Sequence, residues 1–248
     1  MRFDILTLFP EVVETYAKTS IIGAAKEKGL VEINAVNLRD FGDGRHKTVD
    51  DTPYGGGAGM VMKIKPVAEA IASIKSQCPP LRHPELASPG SKEGSAGQAN
   101  PNAQLRRIVV LSARGEQFTQ KKAYEYSQLE QLILICGRYE GIDQRVADYL
   151  ADEEISVGPY VLAGGELPAL TIMEATARLV FGVLGNPESL REESHSKESQ
   201  LEYPQYTKPE VFGEWEVPKV LMSGNHEEIR RWRQEQRLKI KEQNNGAT

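Results

Sequence analysis

An unbroken apolar run, Leu132-Ile-Leu-Ile-Cys136, passes straight into Gly137-Arg-Tyr-Glu-Gly141, and this junction constrains the fold more than any other stretch of the chain. The run reads as a buried strand. The two glycines then bracket three functional side chains, Arg138, Tyr139 and Glu140, in the position where α/β proteins build sites at strand ends. Taken alone, the segment is equally an ordinary strand–turn–helix with Arg138 and Glu140 solvated, because short glycine motifs are weak evidence. Two further glycine segments accompany it: Asp50-Asp-Thr-Pro-Tyr-Gly-Gly-Gly-Ala-Gly-Met60 before it and Val157-Gly-Pro-Tyr-Val-Leu-Ala-Gly-Gly-Glu-Leu-Pro168 after it.

The rest of the chain sets this junction in an α/β pattern. Strands are expected at Phe3–Phe9, Val31–Leu38, Arg107–Ser112, Leu132–Cys136 and Glu154–Val157. Between them lie a helical stretch around 11–28 closed by Gly29, a helix over Pro66–Ile74, a polar helix opened by Thr119 and a strongly apolar helix over Leu167–Phe181. Alternating strands and helices predict a mainly parallel sheet. Residues 77–105 break the pattern: five prolines punctuate Ser, Gly, Asn and Gln. Such a composition cannot bury enough apolar surface to offset ordering, so a disordered loop is expected. A second polar stretch, 186–206, reads as an interdomain linker. Beyond it the chain turns helical again, with Asn225 and Glu228 spaced as an N-cap and Ile229 and Trp232 starting an apolar face.

Composition excludes several classes. A length of 248 residues suits one large or two smaller domains. No long uncharged apolar run could cross a membrane, and Met1-Arg-Phe-Asp-Ile-Leu6 lacks a signal-peptide layout. Cys78 and Cys136 make neither a disulfide framework nor a zinc site, so a cytoplasmic protein is expected. The formal charge of −5 argues against indiscriminate nucleic-acid binding. The segment Arg230–Lys241 nevertheless carries six basic residues against one acid, Glu235. That run is either a solvated helix face or a local basic surface that steers RNA.

The glycine segments contain no dinucleotide fingerprint, and Gly55-Gly-Gly-Ala-Gly59 lacks the lysine that completes a P-loop. Together with Arg45-His-Lys-Thr-Val-Asp-Asp51, Tyr203-Pro-Gln-Tyr-Thr-Lys-Pro209 and Leu221-Met-Ser-Gly-Asn-His-Glu-Glu-Ile-Arg-Arg-Trp-Arg233, they resemble the bacterial tRNA (guanine-N1)-methyltransferases of the TrmD type, in the knotted SPOUT class. The resemblance implies a mainly parallel α/β sheet with a deep C-terminal trefoil knot over 1–185, a linker over 186–206 and a small helical tRNA-binding domain over 207–248. Family members commonly continue past the last helix, so this domain looks abbreviated.

The resemblance also implies that S-adenosylmethionine lies in the knot. Its pocket would be made by Leu111, Ser112 and Ala113, by Gly137, Tyr139, Glu140 and Gly141, and by Val157, Gly158, Pro159, Tyr160, Val161, Leu162, Gly164, Gly165 and Pro168. Ala113 stands where relatives often have proline, which should loosen one wall. His46, Asp50, Gly59, Ser194 and Glu202 fall at RNA-contact positions. Transfer of methyl to guanine N1 needs a base for the N1 proton and a cation for charge shifting to O6. Family alignment places Glu193 and Arg178 in these roles. Glu193 replaces an aspartate of the family pattern, and Glu192 beside it is the competing choice. Arg178 on an apolar stretch could equally be a snorkelling surface arginine. Glu140 and Glu202 could tune the base or hold Mg²⁺. The N1 edge is hidden in a duplex, so the target is unpaired or extruded. By resemblance it is the guanosine directly 3′ of the anticodon, in a homodimer whose active site lies between subunits. Two rivals stay open: a noncatalytic RNA- or nucleotide-binding protein of the same fold, and a knotted methyltransferase for another nucleotide, against which Arg45–Asp51 and Tyr203–Pro209 count.

Overall fold

The structure, a computed structural model, describes residues 1–77, 105–185, 194 and 201–245. The chain divides into two compact units, Met1–Gly185 and Asn186–Thr248. The first is built on five parallel strands: β1 (Arg2–Thr7), β2 (Glu32–Asn37), β5 (Arg106–Gln117), β6 (Gln131–Cys136) and β7 (Glu153–Ser156), in the spatial order β2-β1-β6-β5-β7. A short antiparallel pair, β3 (Asp50–Asp51) with β4 (Val61–Met62), closes the loop that carries the first glycine segment.

Every residue of β6 is buried, because this strand has a sheet neighbour on each side and helices over each face. Alternation divides its side chains between two cores. Leu132, Leu134 and Cys136 join Phe3, Ile5, Val109, Leu111 and Ile155 under α1 (Pro10–Tyr16), α2 (Ser20–Glu27), α4 (Gln120–Ser127) and α6 (Glu166–Ala177). Ile133 and Ile135 join Leu6, Ile108 and Val110 against α3 (Ile64–Gln77) and α5 (Gln144–Tyr149). Each such side chain, fully buried, stabilises the fold by roughly 1.5–3 kcal/mol. The one carboxylate in the middle of β1, Asp4, is fully buried and would cost several kcal/mol alone. It is held by Arg2 at 2.8 Å and by the Gln131 amide at 2.6 Å.

Two expected helices differ in outline. The stretch around 11–28 is two helices, since the chain turns at Ala17–Thr19 and Ser20 takes a left-handed φ of 51°. The apolar helix ends at Ala177 rather than Phe181, with Arg178 as its C-cap. In the second unit a hairpin, β8 (Val211–Phe212) with β9 (Trp215–Glu216), precedes α7 (Lys219–Met222) and α8 (His226–Asn245). The expected cap of α8 is present: Asn225 Oδ1 accepts from the amides of Glu227 and Glu228 at 3.1 and 3.3 Å. Tyr203 is buried beneath Arg233 and Arg237, whose guanidinium carbons lie 4.5 and 5.1 Å from its ring centre.

Candidate active site

The carboxyl ends of β5, β6 and β7 open into one cavity of about 390 Å³, within the size range of small-molecule sites. Three segments make its wall. The first arises from a break in β5: Leu111 and Glu116 both register against Ile155 of β7, so Ser112 to Gly115 stand out of the ladder as a bulge. Bulges of this kind re-aim side chains beside active sites. Gly115 is required at its foot, because a Cβ there would lie 2.5 Å from the Glu154 carbonyl group.

The second segment, Gly137 to Gly141, leaves β6 and doubles back. Tyr139 takes φ 60° and Gly141 φ 132°, the former an unfavourable conformation for a bulky residue that surrounding structure must enforce. That enforcement comes from the β3–β4 loop. Glu140 N donates to Met60 O at 3.0 Å, Met62 N to Gly141 O at 3.0 Å, and Asp143 N to Met62 O at 2.9 Å. The same docking brings Gly59 against the Glu140 side chain, which leaves no room for a Cβ. Two glycine segments far apart in the chain thus form one surface.

The third segment, Val157 to Gly165, returns to β6 through Gly165 N, which donates to Gly137 O at 2.9 Å. Arg138 ties it down. Its Nε and Nη2 bind Glu166 Oε2 at 2.9 and 2.8 Å, its Nη1 reaches the Ala163 carbonyl at 3.3 Å, and its guanidinium carbon lies 4.4 Å from the centre of the Phe9 ring. Glu166, 2 % exposed, also accepts from Thr7 Oγ1 at 2.7 Å. A buried carboxylate satisfied on both oxygens is stable only as part of such a network.

Of the sixteen residues assigned by resemblance to the donor pocket, fourteen lie on these segments, Leu111 and Pro168 flank them on β5 and α6, and all sixteen but Pro159 line the cavity. Lining residues that sequence reasoning did not assign include Arg114, Arg138, Asp143, Gln144 and Glu154. The charged pairs among them were visible as residue types, but nothing in sequence spacing shows that β5 and β7 carry Arg114 and Glu154 to 2.9 Å. Asp143 caps α5 by accepting from Arg145 N at 3.0 Å, and the Arg145 guanidinium holds its carboxyl below the usual range. Burial pushes the Cys136 thiol well up, with the Glu166 charge adding to it, so the sulfur is a neutral core group.

Of the residues matched to RNA contacts, Asp50 and Gly59 belong to the loop docked on Gly137–Asp143, and His46 is exposed in the turn closed by Asp43 and Thr48. Ser194 and Glu202 belong to the second unit, where Glu202 N donates to Ser194 Oγ at 2.9 Å. Arg178 is half-buried at the end of α6. Glu192 and Glu193 lie outside the described residues. Among the described residues no three His, Cys, Asp or Glu side chains converge as a metal site, and no helix is long and apolar enough to cross a membrane.

Comparison with known proteins gives one consistent picture. Residues 1–245 match the family model described as tRNA (Guanine-1)-methyltransferase TrmD. A tRNA (guanine-N(1)-)-methyltransferase of Dictyoglomus turgidum is 49% identical over 96% of this chain and 86% of its own length. The enzymes of that name from Heliobacterium modesticaldum and Enterococcus faecalis are 48% and 44% identical, over 98% and 96% of this chain and 83% and 87% of theirs.

Proposed function

The chain belongs to the tRNA (guanine-1)-methyltransferase family, and on that premise we propose that it transfers methyl from S-adenosylmethionine to N1 of the tRNA guanosine directly 3′ of the anticodon. The observation that carries the reading is the cavity at the ends of β5, β6 and β7, walled by glycine-rich backbone. Its residues fit such a donor. The Val157–Gly165 wall contributes no charged side chain and offers backbone N–H and C=O groups, which can read the edge of an adenine. Its return to Gly137, after β7 has stepped across β5, is the arrangement expected of a trefoil knot. Bound there, S-adenosylmethionine supplies an electrophilic methyl group on a sulfonium sulfur.

The protein's share of the chemistry is proton removal and charge stabilisation. A guanine N1 is protonated at neutral pH, and its lone pair becomes available only as the proton leaves. Glu193 is assigned as the base that takes it, with Glu192 as the adjacent alternative. Arg178 is assigned to the negative charge that develops at O6, a task for which a permanently charged guanidinium is suited. The target base must leave its stack to present this edge, which an anticodon-loop nucleotide does at little cost. Asp50, Gly59 and His46 in the first unit, and Ser194 and Glu202 in the second, are assigned to the RNA. The protein is proposed to act as a cytoplasmic homodimer, one subunit's donor pocket meeting the linker of the other, with Glu140 and Glu202 as candidate Mg²⁺ contacts.

Methyl transfer from labelled S-adenosylmethionine to tRNA transcripts tests the reading. Transcripts with guanosine at the target position should be labelled at N1, and those with adenosine there should not. Labelling of neither would support a noncatalytic role, and labelling elsewhere would support another target nucleotide.

A further inference from the structure

Among the described residues two cations line the cavity, and they differ in how fully the guanidinium is committed. Arg138 is committed to Glu166, the Ala163 carbonyl and the Phe9 ring. Arg114 is also paired with a carboxylate but is far more exposed. It stands on the Ser112–Gly115 bulge with its side chain 65% exposed. Its Nε bonds Glu154 Oε1 at 2.9 Å and its Nη2 bonds the Gln144 side-chain oxygen. Nη1 takes part in neither bond. The cavity wall carries three acids, Glu140, Asp143 and Glu154, of which Glu154 is held by Arg114 and Asp143 by Arg145, at 2.6 Å. A guanidinium presents a planar fork of five donors, so one edge can hold Glu154 while another receives a second carboxylate.

We propose that Arg114 is a specificity-determining residue that receives the α-carboxylate of the methyl donor's amino-acid tail. This rests on the S-adenosylmethionine reading above. The donor has two chemically unlike ends, and the cavity wall is unlike in the same way. The Val157–Gly165 wall is uncharged and suits the nucleoside. The wall formed by Arg114, Gln144 and Glu154 is polar and suits a zwitterionic tail. Glu154 and Gln144 hold the guanidinium in place, so little side-chain freedom is lost when the carboxylate arrives.

The test is calorimetric binding of four probes to wild-type protein and to Arg114→Gln: S-adenosylmethionine, S-adenosylhomocysteine, decarboxylated S-adenosylmethionine and 5′-methylthioadenosine. Only the first two carry the carboxylate. Arg114→Gln should weaken both by about 10-fold, the lower range for a charge-assisted bond at an exposed group. It should leave the other two unchanged. Arg114→Lys keeps the charge without the fork and should fall between. Equal weakening of all four would overturn the proposal and make Arg114 a prop for the pocket through Glu154. No weakening of any would overturn it outright. Wild-type protein that binds none of the four would instead overturn the methyl-donor reading and the subsite with it.

Discussion

Gly164 has no side chain because Arg138 occupies the space one would need: a Cβ would lie 2.2 Å from its Nε. Gly164→Ala should therefore push Arg138 off Glu166, destabilise the protein by roughly 1–3 kcal/mol in urea titrations and weaken donor binding. Unchanged stability and binding would show that the Arg138 strut is dispensable. Gly141 is glycine for another reason. Its φ of 132° strains any larger residue, so Gly141→Val should weaken S-adenosylmethionine in calorimetry even though the space around its Cβ is open. Asp143 supports the same turn from the helix side. Asp143→Ala should cost about 1 kcal/mol as a lost N-cap. The native carboxyl titrates below its usual value because Arg145 binds the charged form. This contribution is therefore complete above the unfolded carboxyl pKa of about 4. It disappears as pH falls through the lowered native value. Wild-type and variant stabilities should converge in acid, and a gap that widens there would contradict the linkage.

At the scale of elements, all five strands of the main sheet were legible, β6 and the first half of β5 as apolar runs that burial between two helical layers demands, β2 by alternation and β7 only as a short stretch around Ile155. The β5 reading stopped at Ser112, whereas the strand continues to Gln117. Residues 113–117 are polar, and their return to the ladder depends on pairing with Ile155 and Ser156, which no local pattern reveals. The 11–28 helix was legible as helix but not as two, since the break rests on a left-handed Ser20. The polar segment 78–104 lies outside the described residues. Its expected disorder makes a concrete prediction. Removing Pro80–Asn100 should leave melting temperature and methyl transfer within about twofold of wild type, because surface-loop length carries only a weak entropic cost. Loss of folding or activity would mean that the segment has an ordered role.

For the whole molecule the decisive question is the base. If Glu193 takes the N1 proton, Glu193→Gln keeps shape and polarity but loses proton acceptance, so turnover should fall by ~10²–10⁴-fold with S-adenosylmethionine affinity nearly unchanged. Glu193→Asp, which keeps the carboxylate on a side chain one methylene shorter, should stay active, and Arg178→Ala should lower turnover. A crippled Glu192→Gln beside a healthy Glu193→Gln would move the base one position along the linker. Sequence alone determined the α/β class, the glycine segments and the family, because buried strands call for apolar residues and tight or positive-φ turns for glycine, and both leave residue-level signatures. Only the tertiary structure decided which charges meet. Glu166 at the start of α6 receives both Arg138 and Thr7, and Arg114 of β5 reaches Glu154 of β7. Ion pairs between distant segments are selected by the three-dimensional register of β1, β5, β6 and β7, and that register is a property of the packed sheet rather than of any stretch within it.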